Sequence, residues 1–151
     1  MNTPNNKRYR DMTESINAAF VSLLQDKELC DITVTDICKL ADIERSTFYA
    51  HYEDVSALAN TYAAQIEKQV SEQPHTEDDF SWIFDYIKEH PDLFKNYFKL
   101  GVSQVSSDYK TIFFRNGAYS VAKMWFKDGC IESSKQMGTI VKREYDKIYS
   151  N

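Results

Sequence analysis

Near the start of the chain, apolar positions recur at Tyr9, Met12, Ile16, Ala19, Phe20, Leu23 and Leu24, the three-and-four spacing of a helix with one buried face. The polar run Asp26-Lys27-Glu28 interrupts it. Thr33 then stands three residues before Asp36, a capping box with Asp where Glu or Gln is usual, and predicts a second helix over about 34 to 40. Within Ala41-Asp42-Ile43-Glu44, Asp42 tolerates left-handed backbone better than most non-glycine residues, and Arg45-Ser46-Thr47-Phe48-Tyr49 opens a third, short helix. The expected result is two short helices across a tight turn, at about 33 to 52.

Asp54 can cap a longer helix whose apolar face is Val55, Leu58, Ala59, Tyr62 and Ile66, running to about 71 before Gln73-Pro74-His75 breaks it. The domain boundary is expected inside this helix, with one domain over 1–56 and a second over 57–151. After the acidic Glu77-Asp78-Asp79, a helix follows through Phe80, Ile83, Phe84 and Ile87. It ends at His90-Pro91, because the residue before a proline disfavours the α region. A short aromatic segment, Leu93 to Phe98, and a polar stretch, Ser103 to Asp108, come next. Tyr109, Ile112, Phe113, Val121, Trp125 and Phe126 predict a long helix ending at Asp128-Gly129 and weakened in its middle by Gly117. The last helix starts at Ser133, capped with Gln136, and uses Met137, Ile140, Val141, Tyr145 and Ile148. Without repeats or strand-like alternation, the fold class is all-α: a three-helix helix-turn-helix domain followed by a helical C-terminal domain.

Composition agrees with helices. Only 4 Gly and 3 Pro occur among 151 residues, and 42% hydrophobic residues can build a core. No run of 18 apolar residues occurs, and MNTPNNKRYR lacks the apolar stretch of a signal peptide, so a cytoplasmic protein without membrane association is expected. Cys30, Cys38 and Cys130 match no metal spacing with His51, His75 or His90 and read as reduced thiols. There is no nucleophile motif, no GxGxxG and no P-loop, and Glu77-Asp78-Asp79 reads as a solvated loop. No enzyme, metal or cofactor is expected.

Charge changes the picture more. The net charge is -5, and residues 1–60 carry 6 basic against 10 acidic side chains. A nucleic-acid binder usually has a basic footprint, so any DNA contact here rests on local placement. In the second helix Val34, Ile37, Cys38 and Ala41 can face the first, leaving Thr33, Thr35 and Lys39 outward. In the third, Ile43, Phe48 and Tyr52 can anchor while Arg45, Ser46, Thr47, Tyr49 and His51 project. Arg45, Ser46, Thr47 and Thr35 suit base edges, and Thr33, Lys39, Tyr49 and His51 suit phosphates. Lys7, Arg8 and Arg10, expected before the first helix, can act as a basic arm or be a solvated tail.

Residues 33 to 52, with their Thr47-Phe48-Tyr49-Ala50-His51-Tyr52 core, resemble the helix-turn-helix of the tetracycline-repressor (TetR) family, and residues 9 to 60 fit the same pattern. The resemblance implies an all-α homodimer that binds a palindromic operator in double-stranded DNA and whose C-terminal domain takes a small-molecule effector, as repressors of the family do. Asp42 stands where the family usually has Gly, and Val55 where it usually has a phosphate-contacting Lys. Phe113-Phe114-Arg115-Asn116-Gly117-Ala118-Tyr119 and Trp125-Phe126-Lys127-Asp128-Gly129-Cys130 are similar to a subgroup that includes dihydroxyacetone-kinase-operon activators.

On this reading Tyr62, Trp82, Tyr86, Phe94, Tyr97, Phe98, Phe113 and Tyr119 are candidates to line an effector pocket, although core packing explains the same residues. Trp125, Met137, Ile140, Val141 and Ile148 on the last two helices are candidates for a two-fold interface, or pack within the monomer. The alternatives are a coactivator that keeps the fold but acts through a protein partner, motivated by the acidic charge and Val55, and a ligand-binding protein with a vestigial DNA head.

Overall fold

The computed structural model describes residues 7–76, 79–101 and 108–150. They form eight α-helices: α1 (Lys7–Asp26), α2 (Val34–Ala41), α3 (Arg45–Tyr49), α4 (Val55–Ser71), α5 (Ser81–Glu89), α6 (Pro91–Leu100), α7 (Tyr109–Lys127) and α8 (Ser134–Tyr149). No strand occurs among the described residues. The Glu77-Asp78 pair and residues 103–107 of the polar stretch lie outside them. The chain divides into two compact units, Met1–Ala64 with Lys95–Gly101, and Gln65–Phe94 with Val102–Asn151.

The first unit is built around Ile16, Phe20, Leu24, Ile37, Phe48 and Leu58, all with no exposed surface. Its helices start and stop where side chains satisfy the free backbone ends. The Thr33 hydroxyl accepts from Asp36 N at 3.1 Å and Asp36 Oδ2 accepts from Thr33 N at 3.1 Å, so the Asp variant of the box closes. A cap of this kind stabilises by about 1 kcal/mol. Asp42 sits in left-handed backbone, φ 53° and ψ 52°, and its N–H closes the last turn of α2 on Cys38 O. Asp54 Oδ1 accepts from Ala57 N at 2.7 Å and caps α4.

Two features of this unit were not expected from the pattern. A single 3-10 turn, Leu29–Asp31, carries the chain from α1 to α2 and brings Ile32 into the core. At the end of α1, Lys99 Nζ donates to Leu24 O at 2.6 Å and Lys27 O at 3.0 Å, with Glu28 Oε1 at 3.7 Å. It supplies a cation and donors where helix carbonyls otherwise lack partners. The segment read as short and aromatic is the ten-residue helix α6. Pro91 starts it, a position where a missing N–H costs nothing.

In the second unit α5 and α8 cross closely at Gly138, where an added Cβ would stand 2.5 Å from Ser81 N. Phe84 meets Trp125 edge to face at 5.1 Å, and Ile87, Ala122, Met137 and Val141 are buried in the same unit. Ser133 and Gln136 make a reciprocal cap for α8. Gly117 does not break α7, since its position is exposed and its backbone helical. No described helix is long and apolar enough to cross a membrane.

Candidate nucleic-acid interface

Phe48, fully buried, pins α3 to the first unit and so decides which residues face out. Arg45 and Ser46 are exposed in its first turn, Tyr49 is 49% exposed, and Thr47 is half-buried. Thr33, Thr35 and Lys39 of α2 are exposed, and so is Leu40, at 51%. Arg45 Nη2 donates to Tyr49 Oη at 3.2 Å and its guanidinium lies 5.9 Å from the centre of the ring. An exposed pairing of this kind is weak, which leaves the planar guanidinium available to a base edge. Thr33 is committed: its hydroxyl accepts from Asp36 N and donates to Asp36 Oδ2 at 2.9 Å. That bond, then the Thr33 N–H, then Lys27 at 3.2 Å hold the Asp36 carboxyl below its ordinary range.

His51 is the residue whose surroundings differ most from a simple projecting side chain. Its ring stacks on Tyr9 at 4.0 Å, and Nδ1 lies 2.9 Å from Thr13 Oγ1. Burial pushes the imidazole pKa below its usual value. Tyr52, next along, is buried and its hydroxyl donates to Asn17 Oδ1 at 2.9 Å. Thr13 and Asn17 escaped the sequence reading. Their only signal was the four-residue spacing of Tyr9, Thr13 and Asn17 along one side of α1.

Lys7, Arg8 and Arg10 do not precede the first helix; they form its first turn. Cations there oppose the helix dipole by about 0.3–1 kcal/mol each at low salt. The Tyr9 stack on His51 offsets part of this by tying the same turn to the second residue after α3. All three side chains are exposed.

A TetR transcriptional regulator from Rhodococcus sp. RHA1 matches the structure with a TM-score of 0.54 over 97% of this chain and 99% of that one, at 11% sequence identity. The fold is that of a TetR regulator. No family model and no curated protein sequence matches the chain. Within this TetR-type fold, Asp42 makes the turn between α2 and α3 without the glycine the family usually has. Val55, where a lysine is usual, is half-buried against the core of the first unit.

The aromatic residues considered for an effector pocket do not share one environment. Tyr62, Tyr97 and Phe98 belong to the first unit, where Tyr62 meets Phe20 edge to face. Tyr86 and Phe94 are buried in the second, and Tyr86 accepts from Gln69 Nε2 at 3.0 Å. Trp82 stacks on His75 at 4.4 Å, and Tyr119 is half-buried with Lys123 Nζ 5.8 Å from its ring centre. Phe113 is 72% exposed and lines no interior. It lies about a third of a turn from Trp125 around α7, so only one of the two can face the core. An opening of about 1030 Å³ in the second unit lies between α5 and α8, lined largely by charged residues such as Asp85, Lys88, Lys135, Lys142, Arg143 and Asp146 and by none of these aromatics.

Of the residues considered for a two-fold interface, Trp125, Met137 and Val141 are buried within their own unit, Ile148 is half-buried and Ile140 is 37% exposed. The most exposed apolar residues of α7 are Tyr109 at 88%, Phe113 at 72% and Met124 at 62%. Helical spacing puts these three on one face, with Gly117 and Ser120 between them. Among the described residues no group of three or more His, Cys, Asp or Glu side chains is placed to hold a metal ion.

Proposed function

We propose that the chain is a homodimeric transcriptional regulator that binds a palindromic operator in double-stranded DNA through α2 and α3, in a reading domain ending at about residue 56. The observation that carries this is the exposed polar face of α3, Arg45 with Ser46, held by buried Phe48 beside α2 in a TetR-type fold. Arg45, Ser46, Thr47 and Thr35 read bases; Lys39, Tyr49 and His51, with Lys7, Arg8 and Arg10, hold phosphates. The protein works in the cytoplasm.

A second copy docks on the α7 face of Tyr109, Phe113 and Met124, where small residues between large ones let two helices approach. The dimer sets the separation of the two reading heads. An effector bound in the second unit changes that separation, and heads that leave a spacing of about 34–36 Å lose one half-site. The lining of the α5–α8 opening favours a charged effector over a purely aromatic one. The similarity to dihydroxyacetone-kinase-operon activators makes activation as open to test as repression.

Footprinting on the DNA flanking its own gene tests the reading. Wild type protects a palindrome, and Arg45→Ala weakens binding by about 1–3 kcal/mol, roughly fivefold to 150-fold. Equal binding by Arg45→Ala removes the base-reading role. No binding to any genomic fragment at low salt, with a protein partner co-purifying, replaces this reading by the coactivator one.

A further inference from the structure

Three atoms in a row connect α1 to the end of the reading helix. Thr13 Oγ1 lies 2.9 Å from Tyr9 O and 2.9 Å from His51 Nδ1. A threonine hydroxyl has one proton to give. Two oxygens at 2.9 Å need a proton between them, because bare lone pairs at that distance repel. The Thr13 proton therefore sits on the Tyr9 carbonyl, and the hydrogen bond to the imidazole runs from His51 Nδ1–H to Thr13 Oγ1. A neutral imidazole carries one N–H. Its other nitrogen, Nε2, is then an acceptor. A phosphate oxygen is an acceptor too.

We propose that Thr13 is a positioning residue that locks neutral His51 as the Nδ1–H tautomer, so that the His51 contact to a DNA phosphate forms only when the imidazole takes up a proton. The proposal rests on the DNA-binding reading above. Tyr9 fixes the plane of the ring by stacking, and the Thr13 contact fixes the edge that carries Nδ1. Among the described residues the titratable group stacked on the ring is the phenol of Tyr9, the phenol of neighbouring Tyr52 donates its proton to Asn17 Oδ1, and burial lowers the imidazole pKa.

The sign follows from linkage. Burial lowers the pKa of His51 in the free protein, and a phosphate at Nε2 raises it in the complex. Binding then takes up a proton. Affinity is greatest below the free-protein value, falls by up to about tenfold per pH unit for each head between the two values, and levels off above the higher one. The equilibrium separates this role from a structural one, because without the Thr13 acceptor the ring is free to carry its proton on Nε2 and to donate while neutral.

The test uses the full chain and a labelled duplex of mixed sequence at fixed low ionic strength, since a phosphate contact acts on any sequence. Anisotropy titrations from pH 5 to pH 8 are run beside circular dichroism at each pH. Wild type and Thr13→Ser should lose affinity as pH rises, and Thr13→Val should show a flattened profile with an unchanged helical spectrum. Nitrogen NMR of the free protein at high pH should show a protonated Nδ1 and a bare Nε2 on His51. A protonated Nε2, a flat wild-type profile, or a Thr13→Val profile as steep as wild type overturns the proposal. Absence of DNA binding at every pH overturns the DNA-binding reading together with it, and the nitrogen spectrum, recorded without DNA, tells that failure apart from a wrong tautomer.

Discussion

Replacing Gly138 by alanine should destabilise the protein, while the same change at Gly117 should stabilise it. Both glycines lie in helices, and an intrinsic scale assigns each replacement a gain of about 1 kcal/mol. Their surroundings reverse the sign at one of them. A Cβ at Gly138 would stand 2.5 Å from Ser81 N and 2.7 Å from Ser81 Cα, against 3.4 Å where ordinary contact begins. Those atoms are backbone, so α8 and α5 must part by about 0.9 Å, the difference between the two distances. A gap of 0.5–1 Å forfeits roughly a quarter to a half of each dispersion contact across the interface. Overpacking of a core costs about 1–3 kcal/mol, and a backbone-to-backbone clash beside buried Phe84, Ile87, Met137 and Val141 belongs at the upper end. Less the helix gain, the net loss is about 2 kcal/mol. For a chain of this size that lowers Tm by about 4–8 °C, whereas Gly117→Ala, with nothing within 4 Å, raises it by about 2–4 °C. Differential scanning calorimetry at one fixed protein concentration reads both. A Gly138→Ala protein as stable as wild type, or a Gly117→Ala protein that is less stable, would refute the packing argument.

Thr33→Ala should cost about 1 kcal/mol in urea denaturation at neutral pH, by removing the α2 cap. The Thr33 hydroxyl is also the main cause of the lowered Asp36 pKa, so the stability it contributes is present above the ordinary value of 3.8 and lost as pH falls through the lower folded value. The variant should therefore lose less stability than wild type below pH 4, and an unchanged acid limb would contradict that. Phe113→Glu should convert a dimer to a monomer in sedimentation velocity without changing the helical spectrum, because Phe113 is 72% exposed on its own chain. A dimer that persists would place the two-fold contact elsewhere.

Boundary chemistry was the most legible part of the sequence. Thr33 with Asp36, Ser133 with Gln136 and Asp54 each start a helix with a side chain that reaches its own backbone within three residues, and the structure keeps all three. The same holds for the Asp42 turn and for the choice of Phe48 as the anchor of α3. Periodicity misjudged α6, because its Phe94 and Phe98 read as a short aromatic patch until Pro91 is recognised as a helix start. Charge reading put Lys7, Arg8 and Arg10 before the first helix, as an arm or a solvated tail, although no break separates them from α1.

The sequence by itself determined an all-helical chain with two short helices across a tight turn, since caps, turn residues and periodicity act over three or four residues. Only the tertiary structure decided what distant residues do to one another. Thr13 meets His51 across 38 positions and Lys99 meets Leu24 across 75, separations at which no local rule operates. It also decided between the two apolar stripes of α7, turning Trp125 inward and leaving Phe113 outside. A helix with apolar residues on both sides can bury either, and the choice belongs to the partner helix that packs against it, here through Gly138 of α8 and the α5 backbone it allows to approach.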